Sequence, residues 1–270
     1  MLNQFSNLSC YEEFEILCTL TGISKTDVLK TIGHKIDNYY FFISNDGIFN
    51  WFDLNGNHVE DPGVLKYLKS GHISENITKC IIPDGITSIG YDTFYNCKLL
   101  KEITMPDSVI SINDYAFAEC ELLKEITIPN SVTYIGGGVF VGCKSLTSIN
   151  ISNGVTSISN ATFYGCESLK SISISDNVKH IGNVAFFACK SLTSITIPDS
   201  ITNIGNRAFY YCDLLTSITI PNSVISIGIE AFDGCNSLKE VIFKGKTLEE
   251  IKQMKCYPFG IEDENVFKFS

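Results

Sequence analysis

Long apolar segments and clustered basic residues are both missing from this sequence. No run of about 18 apolar residues occurs, and a helix that crosses a membrane needs a run of about that length. Lys and Arg together number 20 against 30 Asp and Glu, so the formal net charge is −10. Because phosphate backbones and anionic lipids are bound by clustered Lys and Arg, the sequence predicts no membrane insertion and no nucleic acid partner.

Signals for export and for catalysis are missing as well. The N-terminal residues MLNQFSNLSCYEEFEI have no basic start, apolar stretch or small-residue cleavage site, which together make a secretory signal. The motifs GxGxxG, GxxxxGK[ST], GxSxG and HExxH do not occur, and the four histidines are scattered. We therefore predict a non-enzymatic protein without cofactors, and we expect no secretory export.

What the sequence does contain is one pattern that occurs seven times. SITIPDSITNIGNRAFYYC begins at Ser194 and returns as SITIPNSVISIGIEAFDGC at Ser217, 23 residues later. Related segments begin upstream at Lys79, Glu102, Glu125, Ser148 and Ser171. A fixed period of roughly 20 to 50 residues is typical of a solenoid, in which each coil buries its apolar face against its neighbours.

Each coil repeats the same apolar set. In TSITI, apolar and polar residues alternate, which predicts a short strand that ends at Pro198 because proline cannot donate to a sheet. Stacked copies of this strand predict a parallel sheet. A repeated glycine is expected to permit a tight bend, at Gly90, Gly136, Gly182, Gly205 and Gly228. The residues expected to point inward are Leu192, Ile195, Ile197, Ile201, Ile204, Ala208, Phe209 and Cys212.

Cysteine is abundant, with 11 residues. Seven of them hold one position of the repeat, three residues after a phenylalanine: Cys97, Cys120, Cys143, Cys166, Cys189, Cys212 and Cys235. Disulfides and a metal site are the alternatives, but the total is odd, the surroundings are apolar, and no CxxC pair occurs. We interpret this column, together with Cys80, as reduced thiols that pack as small apolar groups, and reduced thiols favour the cytoplasm.

Two segments resemble ligand sites but lack essential residues. DLNGNHVED, from Asp53, alternates oxygen ligands as a calcium loop does, but His58 stands where such a loop needs glycine and Val64 where it needs glutamate. GISKTDVLKTI could form a helix pair of the DNA-binding type, but its few lysines have acidic neighbours. The sequence therefore predicts no metal site and gives no support for DNA binding.

Corresponding residues of successive coils should lie about 5 Å apart, so each repeated position forms a column along the solenoid. The column after each cysteine alternates in sign, and we interpret it as ion pairs that fix the register. Its members are Lys98, Glu121, Lys144, Glu167, Lys190, Asp213 and Asn236.

Two further columns are candidate partner-binding surfaces. The position after the repeated phenylalanine places Tyr164, Phe187 and Tyr210 in succession, with Tyr211 beside them. Exposed aromatic residues often anchor interfaces, and the alternative is that these rings only pack along the coil edge. The outward side of the strands is small and polar, which suits either a docking surface or an ordinary solvated face. Its residues are Ser148, Asn150, Ser171, Ser173, Ser194, Thr196, Ser217 and Thr219.

The pattern LxxIxIPxSVxxIGxxAFxxC, present as LTSITIPDSITNIGNRAFYYC from Leu192, resembles the 23-residue leucine-rich repeat of the BspA-like family. The resemblance covers roughly residues 77–243. It implies a curved, right-handed solenoid with a parallel sheet on its concave side, used for adhesion or protein binding in surface proteins of bacteria, protists and their viruses. It implies no catalytic residues, and it allows a cell-surface or virion location.

The sequence divides into three parts. Residues 1–72 lie outside the period and are expected to form a small α+β N-terminal cap. Capping-box spacings at Ser9 and Ser24 predict helices near 10–21 and 25–36, followed by an aromatic hairpin and a helix near 62–69. Residues 73–247 are expected to form the repeat solenoid, and residues 248–270 a C-terminal cap.

Three functional hypotheses follow from these observations. The first is a non-enzymatic solenoid that binds a protein partner or serves in adhesion. The second is a structural or attachment component of a viral or bacterial assembly, docked through the N-terminal cap. An enzyme within residues 1–72 is a third, because the repeats offer no convergent catalytic groups.

Overall fold

The computed structural model describes residues 77–270 in full. Of the preceding chain it describes Ser24, Thr26 and the backbone of residues 34–36, 39–43, 49–53, 58–59 and 67–68.

The first four strands form an antiparallel sheet in chain order: β1 (His34–Ile36), β2 (Tyr39–Ile43), β3 (Phe49–Asp53) and β4 (His58–Val59). β2 pairs with β3 along its whole length, from Tyr39 opposite Asp53 to Ile43 opposite Phe49, which confirms the predicted hairpin. The predicted helix over 25–36 is wrong at its end, because residues 34–36 pair with β2 as a strand. Tertiary pairing here overrides the local helix signal. The predicted helix over 10–21 lies outside the described residues.

The next strand, β5 (Tyr67–Leu68), lies where the sequence predicts a helix near 62–69. That prediction is wrong at these two residues, because they pair in parallel with Ser88 and Ile89 of the repeat region. The pairing brings a segment of the predicted N-terminal cap into register with the solenoid.

From residue 79 onward each repeat but one contributes two short strands. The first column of strands contains β6 (Lys79–Ile81), β8 (Glu102–Thr104), β11 (Ser148–Asn150), β13 (Ser171–Ser173), β15 (Ser194–Thr196), β17 (Ser217–Ile220) and β19 (Glu240–Phe243). In the repeat that begins at Glu125, a single bridge between Glu125 and Ser148 takes the place of a strand. The second column contains β7 (Ser88–Ile89), β9 (Ser111–Ile112), β10 (Tyr134–Ile135), β12 (Ser157–Ile158), β14 (His180–Ile181), β16 (Asn203–Ile204) and β18 (Ser226–Ile227).

The register of both columns equals the sequence period. Ser194 pairs with Ser217 and His180 with Asn203, each 23 positions apart and parallel. The sequence therefore predicts the parallel-stranded solenoid and its register correctly. It does not predict the second column, whose strands have only two residues each and carry little periodic signal.

The rest of each coil is a tight, irregular segment that carries the phenylalanine and the cysteine. Its backbone bonds to the next coil, as in Phe163 N–H to Ala185 O at 2.8 Å. Two positions per coil have a left-handed backbone, with φ of 49° at Val184 and 55° at Ala188. The same two positions are left-handed in six further coils, at Asp92, Tyr115, Gly138, Ala161, Arg207 and Glu230, and at Asn96, Glu119, Gly142, Gly165, Tyr211 and Gly234.

The core runs the length of the solenoid. All eight residues predicted to point inward are buried, Ile195 with the largest exposed fraction at 7%. The repeated phenylalanine rings stack on one another from Phe94 to Phe232, with centroids 5.0 to 5.8 Å apart. This spacing is close to that of neighbouring strands, so one ring per coil fills the centre of the array.

The repeated cysteines are free, buried thiols, which confirms their interpretation. Six of these seven thiols also donate to a backbone carbonyl of the previous coil, a role that the apolar interpretation misses. Cys143 Sγ lies 3.2 Å from Phe117 O, and Cys166 Sγ lies 3.1 Å from Phe140 O. The same bond recurs at Cys120, Cys189, Cys212 and Cys235.

Glycine is needed at its repeated position for a different reason from the one that the sequence predicts. Gly136, Gly182, Gly205 and Gly228 are not left-handed, and the left-handed positions follow two residues later. A methyl group on Gly205 would lie 2.5 Å from Asn183 N and from Gly182 C of the preceding coil. These glycines are required because successive backbones approach too closely for a Cβ atom.

The C-terminal segment covers the last coil. It contains a helix (Leu248–Lys252), a 3-10 helix (Glu264–Val266) and β20 (Phe267–Phe269), which pairs in parallel with β19. Phe232 N–H bonds to Phe259 O at 3.0 Å, so the segment continues the bonding pattern of the coils. Ile251 and Phe259 are fully buried there.

Candidate binding surfaces

The aromatic row predicted from the sequence exists as a stack of rings. Tyr164 and Phe187 have centroids 4.5 Å apart at 6°, and Phe187 and Tyr210 are 5.1 Å apart at 8°. Tyr211 meets Tyr210 edge to face at 4.4 Å. We call Tyr164, Phe187, Tyr210 and Tyr211 the aromatic row.

The row lies outside the core but is not fully solvated. Tyr164 is 38% exposed and Tyr211 46% exposed, whereas Phe187 and Tyr210 are half-buried. Because each ring covers the face of the next, the row presents ring edges and hydroxyl groups outward. The rings therefore pack on each other, and Tyr164 and Tyr211 remain accessible to solvent.

Charged side chains fix the C-terminal end of the row. The Arg207 guanidinium carbon lies 5.6 Å from the centroid of Tyr210, within the range of a cation–π contact. Arg207 Nε also donates to Glu230 Oε2 at 2.7 Å, which raises the pKa of the guanidinium. Hydrogen bonding to Tyr211, followed by partial burial, raises the pKa of Tyr210. The rings of the aromatic row are therefore neutral, and the charged groups beside them are Arg207 and Glu230 next to Tyr210.

The small polar strand face is also placed as predicted. Ser148, Asn150, Ser171, Ser173, Ser194 and Thr196 are exposed, and Ser217 and Thr219 are half-buried. Corresponding residues pair across the strands, but the sheet is divided between β13 and β15. Within residues 77–270, no side-chain hydrogen bond or ring contact joins this face to the aromatic row.

The predicted ion-pair column is formed in part. Glu121 Oε1 lies 3.2 Å from Lys98 Nζ and 3.4 Å from Lys144 Nζ, and these two hydrogen bonds lower the pKa of Glu121. Lys190 and Glu167 pair at 3.2 Å. These pairs are exposed and screened by solvent, so they fix the register more than they add to the free energy of unfolding.

A third surface was not singled out from the sequence. Asn160, Asn183 and Asn206 occupy one column, and each side chain accepts a backbone N–H from the same column in the next coil, at 2.8 to 2.9 Å. We call these three residues the amide ladder. Asp114 makes the equivalent bond to Gly137 N–H at 2.8 Å. The signal was available, since asparagine recurs there at intervals of 23 residues.

A second line of polar side chains runs beside the ladder, along β14, β16 and β18. His180 Nδ1 lies 3.0 Å from Asn203 Oδ1, and Asn203 Nδ2 donates to Ser226 Oγ at 2.5 Å. Between the two lines lies an open groove of about 460 Å³, with Lys255 and Cys256 of the C-terminal segment at its end.

The structure adds no metal site to these surfaces. Within residues 77–270 and the described strands before them, no group of three His, Cys, Asp or Glu side chains is placed to hold a metal ion. The described residues contain no helix with both the length and the apolar character needed to cross a membrane. Apart from Ser24 and Thr26, the side chains of the predicted N-terminal docking region lie outside the described residues.

Comparisons with known proteins agree with the repeat pattern. The family model of the BspA type leucine rich repeat region matches residues 72–186 and 156–266. No curated protein matches the chain.

Similar solved structures include leucine-rich repeat proteins from three bacteria. One from Bacteroides ovatus is 31% identical over 72% of this chain and 66% of its own, with a TM-score of 0.44. A leucine rich cell surface protein from Faecalibacterium prausnitzii is 28% identical over 66% of this chain and 62% of its own, with a TM-score of 0.38. This chain thus spans less than two thirds of either protein. The T. pallidum leucine rich repeat protein is 21% identical over 76% of this chain and 90% of its own, and its TM-score of 0.54 shows a shared fold.

Proposed function

This chain belongs to the BspA type leucine-rich repeat family, and from that membership and the exposed rings of its solenoid we propose that it binds a protein partner through the aromatic row. The family includes bacterial surface proteins, and this supports a binding or adhesion role. The proposed role is non-enzymatic, since the repeats position no catalytic group. The partner is another protein.

The aromatic row carries the proposal because the coil does not need it. The same column holds Ala118 and Asp233 in other coils, and those coils have the same fold. The buried phenylalanine and cysteine columns supply the packing. Rigid, half-buried rings whose edges and hydroxyl groups face outward are the groups that most often dominate interface energies.

The row is tested by changing Tyr164, Phe187 and Tyr210 to serine together in the full chain. Partners are first captured by the unaltered chain, identified by mass spectrometry, and then titrated against both forms. We expect the triple variant to lose at least about 2 kcal/mol of affinity, as loss of anchor residues does, while circular dichroism stays unchanged.

A matched control changes Ser171, Ser194 and Ser217 to alanine on the strand face. If this control loses affinity and the aromatic variant does not, the binding surface is the small polar strand face. If both bind normally, the proposal is wrong, and capture with residues 1–72 then tests docking through the N-terminal region. Unfolding of the aromatic variant would show that the rings serve packing.

A further inference from the structure

The amide ladder has hydrogen-bond donors that the protein does not use. Each Oδ1 of Asn160, Asn183 and Asn206 accepts a backbone N–H, which fixes the orientation of the amide and turns the Nδ2 group away from that bond. All three side chains are exposed, and their Nδ2 atoms donate to no other group within residues 77–270. The groove is therefore bordered by a row of oriented amide donors.

The opposite border offers further polar groups. Asn203 is held by His180, by Ser226 and by Thr202 Oγ1, which donates to Asn203 Oδ1 at 2.7 Å. Glycine backbone forms the floor between the borders, because the close approach of the coils excludes side chains there. At the last rung, the column of the amide ladder is occupied by Ile229, which is 52% exposed. The groove thus combines fixed donors, fixed hydroxyl and imidazole groups, and one apolar contact.

The spacing of the donors selects the kind of ligand. Successive rungs are separated by about 4.8 Å, the spacing of neighbouring strands. An extended peptide advances by about 3.3 Å per residue and repeats its orientation every second residue, so its carbonyls fall out of step with the ladder. A linear oligosaccharide advances by nearly one rung for each sugar, and although successive rings are turned over, each ring carries hydroxyl groups along both of its edges. Its hydroxyl oxygens would accept from successive amides, and its ring C–H groups could pack on Ile229.

The charge of the groove agrees with such a ligand. Its lining contains no carboxylate, although the chain carries a net charge of −10, and Lys255 supplies a positive charge at one end. A basic ligand therefore finds no ion-pair partner here, whereas a neutral hydroxylated chain meets amide donors at Asn160, Asn183 and Asn206.

We propose that the groove beside the amide ladder binds a linear oligosaccharide of about four sugars, one for each rung about 4.8 Å apart. This site is separate from the aromatic row and does not depend on the protein partner proposed above.

One substitution can remove the Nδ2 donor of a ladder amide while keeping its bond to the next coil. Asp114 shows that a carboxylate at this position accepts the same backbone N–H. Asn183→Asp should therefore preserve the bond between coils and remove the outward amide. We expect it to weaken binding about tenfold, as the loss of ligand hydrogen bonds does. Asn160→Asp makes the same change at the neighbouring rung, and we expect it to weaken binding for the same reason.

The measurement is isothermal titration of the full chain with cello-, xylo-, manno- and chito-oligosaccharides. Asn130→Asp is the charge control, because it makes the same change in a turn where other coils carry aspartate. The serine variant of the aromatic row should bind the sugars normally. The proposal is overturned if none of the four sugar series binds at millimolar concentration, or if folded Asn183→Asp and Asn160→Asp bind as tightly as the unaltered chain.

Discussion

The repeated cysteine combines a packing role and a hydrogen-bonding role in one side chain. It fills a small volume beside the stacked phenylalanine rings, and its thiol donates to a phenylalanine carbonyl of the previous coil that also accepts a backbone N–H. Burial raises the pKa of Cys80 to about 12 from an ordinary 9.0, and electrostatic interaction with the neighbouring Cys97 thiol adds to the effect. Burial also raises the pKa of Cys143 and Cys166. These thiols therefore stay protonated in the folded chain.

The raised thiol pKa values predict a loss of stability in alkali. Well below pH 9.0 the thiols are neutral in both the folded and the unfolded chain, so their burial carries no ionisation penalty there. As the pH rises from about 9 towards 12, the unfolded chain gains from ionising its thiols and the folded chain does not. We expect the free energy of unfolding to fall across this window, as measured by urea titration.

Serine supplies the control for this prediction. Cys143→Ser with Cys166→Ser retains a hydroxyl donor but removes two ionisable groups, so the fall with pH should become shallower. Thiol reagents should also leave the eight buried cysteines of residues 77–270 unmodified at neutral pH and react with the half-exposed Cys256. Modification of most buried thiols in the folded chain would contradict the burial on which the prediction rests.

Within each coil, the close contact of successive backbones decides where glycine is needed. The run Gly136, Gly137 and Gly138 contains three different cases. A Cβ atom on Gly136 would lie 2.5 Å from Asp114 N and 2.8 Å from Asn113 C, whereas one on Gly137 would come no closer than 3.4 Å, to Asn160 O. Gly138 has a φ of 62°, the left-handed position. Backbone contact thus requires glycine at position 136, the left-handed backbone favours it at 138, and neither applies at 137.

This difference predicts opposite results for two neighbouring substitutions. Gly136→Ala should lower the free energy of unfolding by about 1 to 3 kcal/mol, because the coils must separate to admit the methyl group. Gly137→Ala should change it by less than about 1 kcal/mol and can stabilise the chain by restricting the unfolded state. Chemical denaturation of the two variants under the same conditions checks the comparison. Equal losses would mean that the glycine column is not set by backbone contact.

At the scale of the whole molecule, a solenoid must cover the apolar core that would otherwise be exposed at each end. A coil without a neighbour leaves its apolar face open, and the C-terminal segment closes that face here. Phe243, in the last coil, has the rings of Phe259 and Phe269 at 6.3 Å each. Phe259 is fully buried, whereas Phe269 is 41% exposed.

These two rings provide a matched test of the closing segment. Phe259→Ala should cost about 3 to 5 kcal/mol, as truncation of buried aromatic residues does, and should promote association of the chain. Phe269→Ala should cost much less, since that ring is already partly in water. Urea unfolding and analytical ultracentrifugation measure the two effects. If Phe259→Ala melted and sedimented like the unaltered chain, the tail would not be part of the cooperative fold.

Much of the candidate site could be predicted, because a strict period makes every residue the neighbour of its own counterpart. The stacking of Tyr164, Phe187 and Tyr210 follows from that rule, as does the exposure of the strand face. Arg207 over Tyr210 could not be predicted, because a cation–π contact depends on side-chain direction between different columns. The sequence shows that asparagine recurs at the three positions of the amide ladder, but it does not predict that these side chains are exposed or which backbone groups they bind.

A 23-residue interval and an alternating strand allow one stacking of the apolar set, so the solenoid, its register and its core follow from the amino-acid sequence. Which individual groups take part in contacts between coils depends on the folded chain. Backbone contact between coils required the glycines, and long-range pairing turned residues 34–36 and 67–68 into strands. Because the Oδ1 atom of each ladder amide accepts an N–H from the next coil, the Nδ2 atom is the one left without a partner within residues 77–270. Such contacts join residues that are distant in the chain, and no local pattern specifies them.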